Sequence, residues 1–260
     1  MPRKSRLKSK SGIYHIMFRG ANRQEIFHDD DDSKRFLDTI ERYKKKSDMK
    51  VFAWCLMSNH IHLLIKEGNE ELSLTMKRIG VSFVHYYNCK YRTTGHLFQD
   101  RFKSENVETK KYLLTVVRYI HQNPVKAGIV NRVDKWNWSS CDGYYGEEGS
   151  YLRELLDRDL VLRMFSNDTT IAIKRFKEFN ERKNNDACLE DPVNKTNRLT
   201  DEEARLKIKD ILGIIEIAQV KSLSKPEKKE VLRRVKGIKG VSQRQGARIL
   251  GVSISLIHRS

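Results

Sequence analysis

The chain has 260 residues and carries 51 lysine and arginine side chains against 34 acidic ones, which gives a formal net charge of +17. A chain of this length buries a sizeable core in one or two domains, and this charge favours a polyanionic partner, most often nucleic acid. The four cysteines lie far apart, which argues against a zinc ribbon and a disulfide framework. Without a signal-peptide pattern or a membrane-spanning apolar run, the sequence predicts a cytoplasmic, nucleoid-associated protein with no membrane partner.

The beginning of the chain predicts a strand, a helix and two further strands. Ile13–Arg19 is apolar and β-branched enough for a strand. The acidic run that follows can cap a helix, which the apolar spacing predicts over Ser33–Lys46. Lys50–Lys66 is rich in strand-forming residues and predicts two strands joined near Met57–Asn59.

Three more elements complete the first part of the chain. Apolar residues from Leu72 to Tyr87 mark a second helix, and Phe98–Val107 predicts a strand. Thr109 would cap a third helix, which should end at Asn123 because a residue before proline disfavours the helical conformation. The order β-α-β-β-α-β-α predicts an α+β domain, a ferredoxin-like antiparallel sheet with helices on one face, over residues 1–145.

The remainder of the chain is predicted to be all-α. Residues 146–197 would form a helical extension and a linker, the linker being the polar stretch Asn184–Asn197. Residues 198–260 would form a helical DNA-binding region. From Lys228 to Ser260 there are nine lysines and arginines against one glutamate, so this end of the chain is strongly basic.

The last part of that region, about residues 240–260, follows the helix-turn-helix pattern. Ala247 is the small residue where two helices would cross, Gly251 would make the turn, and Val252 and Ile257 would pack inward. An ordinary helical hairpin is the alternative. The residues expected to face a major groove, together with the first residue of the recognition helix, are Ser253, Ile254, Ser255, His258 and Arg259.

Two histidines one residue apart lie in the apolar stretch SNHIHLLIK. On a strand, residues i and i+2 point to the same face, so His60 and His62 project together while Ile61 turns to the core. Imidazoles about 6 to 7 Å apart along a strand can converge on one divalent cation. Paired strand histidines without a metal are also common, so the pair alone leaves both interpretations open.

A second pair lies in the stretch RYIHQNPVKAG. Tyr119 and Asn123 are four residues apart and share one helix face. A tyrosine hydroxyl can act as a covalent nucleophile, and an amide oxygen suits Mg²⁺ or Mn²⁺. A half-buried aromatic and a helix cap are the alternative. Together, a cation and a tyrosine supply the parts of one reaction, the attack on a phosphodiester.

These stretches resemble a known family. SNHIHLLI resembles the histidine–hydrophobic–histidine (HUH) motif of single-tyrosine transposases, and RYIHQNPVKAG resembles their nucleophile helix. RGANRQEIF, GHLFQDRFKSE and WNWSS resemble further blocks of the branch called REP-associated tyrosine transposases. The blocks occur in the expected order from Ile13 to Tyr145, a little over half of the chain.

The resemblance implies a metal-dependent transposase that cleaves and rejoins single-stranded DNA near hairpins. It further implies that His60, His62 and Asn123 hold a divalent metal, Mg²⁺ or Mn²⁺, and that Tyr119 forms a 5′-phosphotyrosine intermediate. No nucleotide cofactor is needed, because joining reverses the attack. Related insertion-sequence enzymes have a glutamine where Asn123 stands, and relatives act as monomers or homodimers.

Single-stranded or hairpin DNA would be held by cations along its backbone and by aromatic stacking. The candidate cations are Arg19, Arg23, Arg101 and Lys103, and the candidate stacking groups are Phe98 and Tyr14. His15, on the first strand, is a further candidate for the metal. Two other functions stay open: a helix-turn-helix regulator on an inactive transposase core, and a hydrolase that uses the paired histidines.

Overall fold

The computed structural model describes residues 7–146, 151, 154–189, 199 and 201–260. Its sheet has four strands in the order β2-β3-β1-β4, and neighbouring strands run antiparallel. The sheet confirms the predicted α+β class. The strands are β1 (Ile13–Arg19), β2 (Lys50–Met57), β3 (His60–Lys66) and β4 (Lys103–Asn106).

Helices follow β1, β3 and β4 and continue to the C-terminus. Asp29 caps α1 by accepting a hydrogen bond from the backbone of Asp32, and Thr109 caps α3 through Tyr112. The helices of the first part are α1 (Asp30–Ser47), α2 (Leu72–Tyr91), α3 (Lys110–Lys126), α4 (Cys141–Tyr144), α5 (Asp159–Leu162) and α6 (Thr169–Glu181). The helices of the second part are α7 (Asp201–Leu212), α8 (Lys225–Lys236), α9 (Gln243–Leu250) and α10 (Ile254–Arg259).

Helices cover both faces of the sheet, so the predicted placement of all helices on one face is wrong. On one face Phe18 of β1 packs against Phe36 of α1, with ring centroids 6.4 Å apart, and close to Gly80 of α2. On the other face His15 of β1 contacts Tyr119 of α3, with centroids 5.8 Å apart. Burial on both faces explains why β2 and β3 are almost continuously apolar rather than alternating.

Two predicted boundaries are wrong. The strand predicted over Phe98–Val107 is continuous only from Lys103 to Asn106, because the preceding residues form a loop in which Phe98 makes an isolated bridge with Gly20. Helix α3 continues past Asn123 to Lys126, with Pro124 inside it. Proline so near the end removes a single N–H···O bond, and the backbone N–H of Ala127 still donates to the Asn123 carbonyl.

The segment after α3 packs on the sheet domain. Tyr144 of α4 stacks on Phe176 of α6 with ring centroids 4.4 Å apart, and both belong to the core that contains the sheet. Trp136 donates its indole N–H to the carbonyl of Leu56, 2.9 Å away, so the WNWSS stretch covers the edge strand β2. Of the predicted linker Asn184–Asn197, residues 190–197 lie outside the described residues.

Helices α7 to α10 enclose a second core. Ala247, Val252 and Ile257 are buried in it, and Gly251 has a φ of 66° in the turn between α9 and α10. These positions match the predicted helix-turn-helix packing. In the part of the chain that the structure describes, no helix is both long and apolar enough to span a membrane.

Candidate active site

The paired histidines lie on one face of the sheet, as the strand period predicts. In the register of β1 and β3, His60 pairs with Arg19 and His62 pairs with Met17. The two imidazole rings have centroids 5.1 Å apart. His62 is buried and His60 is partly buried, so His60 lies at the solvent edge of the pair.

His60 is oriented by its neighbour and by the turn after β1. Its Nδ1 lies 2.7 Å from the side-chain oxygen of Asn59. The backbone carbonyl of Asn59 accepts a hydrogen bond from the backbone N–H of Gly20 at 2.9 Å. The side-chain amide nitrogen of Asn59 donates to the carbonyl of Arg23 at 3.3 Å. Because an amide oxygen only accepts, Nδ1 of His60 carries the proton and Nε2 is the nitrogen expected to ligate.

His62 is oriented by a residue from another strand. Its Nδ1 lies 2.9 Å from Nε2 of His15, and Nδ1 of His15 lies 3.7 Å from the carboxylate of Glu105 on β4. The sequence singled out His15 only as a further metal candidate and did not single out Glu105. A signal for Glu105 exists in its position within the GHLFQDRFKSE block, but its proximity to His15 depends on strand register.

Tyr119 of the helical pair lies over the same face of the sheet. The Tyr119 ring meets His62 and His15 edge-on, with centroids 5.6 and 5.8 Å away, and the side chain is 1% exposed. The ammonium of Lys126 lies 4.9 Å from the centre of the Tyr119 ring. Asn123 is partly buried one helical turn further on. His121 points away from the site, toward Ser140 and Asn180.

Burial sets the charge of the histidines. Burial lowers the pKa of His62 well below its usual range, and the neighbouring cationic forms of His15, His60 and Arg19 lower it further. Burial also lowers the pKa of His15. Both imidazoles are therefore neutral at physiological pH, which is the form that ligates metals.

The predicted ligands have the chemistry that a divalent metal needs. Within the described ranges there is no group of three or more His, Cys, Asp and Glu side chains arranged to hold a metal ion. The predicted set contains two imidazoles and the amide of Asn123, and both imidazoles have Nδ1 in contact with a neighbouring side chain. Nδ1 contacts that leave Nε2 for the metal are the usual arrangement of ligating histidines, so the residues fit such a metal.

Two of the four predicted DNA-backbone cations lie on the face of the sheet that carries the histidines. Arg19 pairs with His60, and Lys103 pairs with Met17, so both project to that face. Arg23 is exposed in the turn after β1, and Arg101 is exposed in the loop before β4. The structure thus divides the four cations between the site face and two loops.

Both predicted stacking groups take part in core packing, although Phe98 is only partly buried. Tyr14 is buried on the other face of the sheet and accepts a hydrogen bond from the backbone of Ser9 at 2.9 Å. Phe98 packs on Phe18 with ring centroids 5.1 Å apart. Their apolar rings are already used in core packing, which the spacing within one strand does not show.

The predicted groove-facing residues belong to a different surface. Ser253 precedes α10, and its hydroxyl lies 2.9 Å from that of Ser255. His258 and Arg259 follow on the same helix, and all four side chains are exposed. Their helix packs on the second core through Ile257, and that core is separate from the one that contains the sheet.

Comparison with known proteins shows which class the sheet domain resembles. Residues 8–123 match the family model described as "Transposase IS200 like". This stretch is therefore similar to IS200-like transposases, and it includes both histidines, Tyr119 and Asn123.

The similarity extends to one branch of that class. The chain is 28% identical over 103 residues to the REP-associated tyrosine transposase of Escherichia coli K12, which covers 39% of this chain and 59% of that protein. It is 26% identical over 147 residues to a putative REP-associated tyrosine transposase of Haemophilus influenzae, covering 51% of this chain and 81% of the relative. The resemblance to REP-associated tyrosine transposases is thus confirmed, and the chain spans about three fifths of the first relative.

A solved structure shares the fold. It is that of a REP-associated tyrosine transposase bound to a REP hairpin, and it matches with a TM-score of 0.50 at 24% identity. The match covers 61% of this chain and 90% of the other. The match shows that the sheet domain has a fold similar to that of the solved structure.

Proposed function

We propose that this protein cleaves and rejoins single-stranded DNA next to hairpins, with Tyr119 as the nucleophile. The observation that supports it most is the contact of Tyr119 with His62, whose ring lies beside that of His60, while the Nδ1 atoms of both histidines contact neighbouring side chains. The solved relative bound to a REP hairpin supports a hairpin as the substrate.

In the proposed reaction, the Tyr119 hydroxyl oxygen attacks the phosphorus of a phosphodiester. The P–O3′ bond breaks, the 5′-phosphate stays on Tyr119, and the released 3′-oxygen takes up a proton. Rejoining is the reverse attack of a 3′-hydroxyl, so no nucleotide cofactor is needed. A divalent metal bound by His60, His62 and Asn123 would supply stabilisation of the charge that develops on the phosphate oxygens.

The surrounding residues would bind and orient the strand. Arg19 and Lys103 project from the histidine face and would contact phosphates beside the cleaved bond. Because Tyr119 is only 1% exposed, the incoming strand has to open access to its hydroxyl. The helix-turn-helix, through Ser255, His258 and Arg259, would contact duplex DNA.

A covalent-adduct assay tests this function. A labelled hairpin oligonucleotide with a single-stranded flank is incubated with the full chain and Mg²⁺ or Mn²⁺. We expect a protein–DNA adduct that disappears in Tyr119→Phe and persists in Tyr43→Phe, a tyrosine on the other side of the sheet.

Each alternative predicts a different result. Tight binding without any cleavage in the presence of either metal would identify a DNA-binding regulator on an inactive core. Cleavage that survives Tyr119→Phe without an adduct would identify a hydrolase that uses the histidines. Either outcome rejects the proposed reaction.

A further inference from the structure

Three side chains from three neighbouring strands form a line that ends at the buried histidine of the site. Nδ1 of His62 on β3 lies 2.9 Å from Nε2 of His15 on β1. Nδ1 of His15 lies 3.7 Å from Oε2 of Glu105 on β4, which is its cross-strand partner. The His15 side chain is fully buried, whereas the Glu105 side chain is 37% exposed.

The contact between the two imidazoles contains one proton. A neutral imidazole has one N–H and one lone pair, so either His15 or His62 is the donor. If His15 donates, His62 accepts at Nδ1 and carries its own proton on Nε2, where a metal can no longer bind. If His62 donates from Nδ1, its Nε2 holds a lone pair.

Glu105 selects between these two states. A carboxylate that faces Nδ1 of His15 favours the proton on that nitrogen, which leaves the lone pair of His15 on Nε2. His62 must then donate from Nδ1. The neighbouring His15 lowers the pKa of Glu105 below its usual range, so the carboxylate stays ionised at neutral pH.

We propose that Glu105 and His15 are positioning residues that fix the tautomer of His62 with its lone pair on Nε2. This inference rests on the proposed function in one respect, namely that His62 binds a metal. Partners of this kind change metal affinity by about tenfold to a hundredfold when they are removed.

The tautomer is measured first, on the metal-free full chain with ¹⁵N-labelled histidine. The nitrogen shifts of His62 distinguish a proton on Nδ1 from one on Nε2. We expect Nδ1–H in the wild type and a mixture in Glu105→Gln. The control Glu108→Gln changes a nearby carboxylate whose partners are the backbone amides of Lys10 and Ser11, and it should leave His62 unchanged.

Metal affinity is measured second, by calorimetric titration with Mn²⁺. We expect about tenfold weaker binding in Glu105→Gln and a larger loss in His15→Leu, which removes the acceptor. His15→Gln should restore part of the affinity, because its side-chain oxygen can accept from Nδ1 of His62. His121→Gln, which replaces a buried histidine bonded to Ser140 and Asn180, is the control for the loss of a core imidazole.

The two measurements separate the possible failures. A proton on Nε2 of His62 in the wild type overturns the inference. So does an unchanged tautomer together with unchanged Mn²⁺ affinity in Glu105→Gln, a variant at a partly exposed position that should fold. If the wild type binds no Mn²⁺, the metal in the proposed function is rejected, and the tautomer measurement still decides the role of Glu105.

Discussion

The guanidinium Nε of Arg205, on α7, lies 2.9 Å from Oε2 of Glu25 in the segment after β1. The same guanidinium approaches Nδ1 of His28 at 2.9 Å. The side chain of Glu25 is 7% exposed and that of Arg205 is 19% exposed, so the ion pair is largely shielded from water. It joins the helical C-terminal core to the turn that also supports Asn59 and His60.

Arg205→Ala should loosen the C-terminal core from the sheet domain. Removal of Arg205 leaves the Glu25 carboxylate shielded from water, with His28 Nδ1 at 3.6 Å as its remaining partner, so we expect a loss of about 2 kcal/mol in the free energy of unfolding. Hydrogen exchange should rise in α7 and in the segment around Glu25. Urea unfolding followed by fluorescence measures the free energy.

Arg233→Ala is the matched control for this change. Arg233 pairs with Glu230 on the exposed side of α8, and exposed pairs contribute little. We expect a change below about 0.5 kcal/mol. Equal losses in the two variants would show that the Arg205 pair does not hold the two cores together.

Gly251→Ala should destabilise the helix-turn-helix and its contact with the sheet domain. A Cβ at Gly251 would lie 2.1 Å from the side-chain oxygen of Gln24, and the residue has a φ of 66°. The left-handed conformation alone costs an alanine about 1 kcal/mol, and the clash adds to that cost. Thermal unfolding of the full chain measures the sum.

Gly213→Ala separates the two contributions, because Gly213 has a φ of 61° with open space around its Cβ position. We expect it to show the conformational cost only. Adding Gln24→Ala to Gly251→Ala should recover the steric part, measured against Gln24→Ala alone. If Gly251→Ala costs no more than Gly213→Ala, the contact with Gln24 is loose in solution.

Stability should fall as the solution is acidified, partly because of His121. Burial lowers the pKa of His121 to about 3 from a usual value of 6.5. Between these values the unfolded chain binds a proton that the folded chain does not, so the contribution of His121 to stability is constant above pH 6.5 and falls below it. One such group contributes a slope of up to about 1.4 kcal/mol per pH unit.

Urea midpoints between pH 7 and pH 4 measure this slope. His121→Gln should be less stable at pH 7 and should show a shallower fall toward pH 4. His15 and His62, whose pKa values are also lowered, contribute with the same sign, so the variant retains part of the slope. A slope identical to that of the wild type would mean that His121 is protonated in the folded chain.

Arg259→Ala should weaken duplex binding in a salt-dependent manner. Arg259 is exposed on α10, and removal of one cation that binds a phosphate reduces the slope of log affinity against log salt by about 1. Fluorescence anisotropy with a labelled duplex at several salt concentrations measures that slope. Lys174 is an exposed cation on α6. Lys174→Ala should leave the salt slope unchanged if α10 is the surface that contacts DNA.

Local periodicity predicted much of the fold and part of the site. The strand period places His60 and His62 on one face, and the helical period places Tyr119 and Asn123 one turn apart, because both depend only on neighbours in the chain. The small residues around Gly251 likewise predict the helix-turn-helix. The predicted end of α3 at Asn123 is wrong, because the packing of buried Pro124 in the last turn outweighs the preference of a residue before proline for a non-helical conformation.

Sequence patterns alone predict the class of fold, the paired histidines, the helical tyrosine and the basic C-terminal region. The contacts of Glu105 and His15 with one another and with His62, the burial of Tyr119 and the pairing of Arg205 with Glu25 are visible in the folded chain alone. These contacts join residues on different strands or in different cores. The distances between these residues depend on strand register and on helix packing. Both are set by the free energy of the whole chain and not by the spacing within one segment.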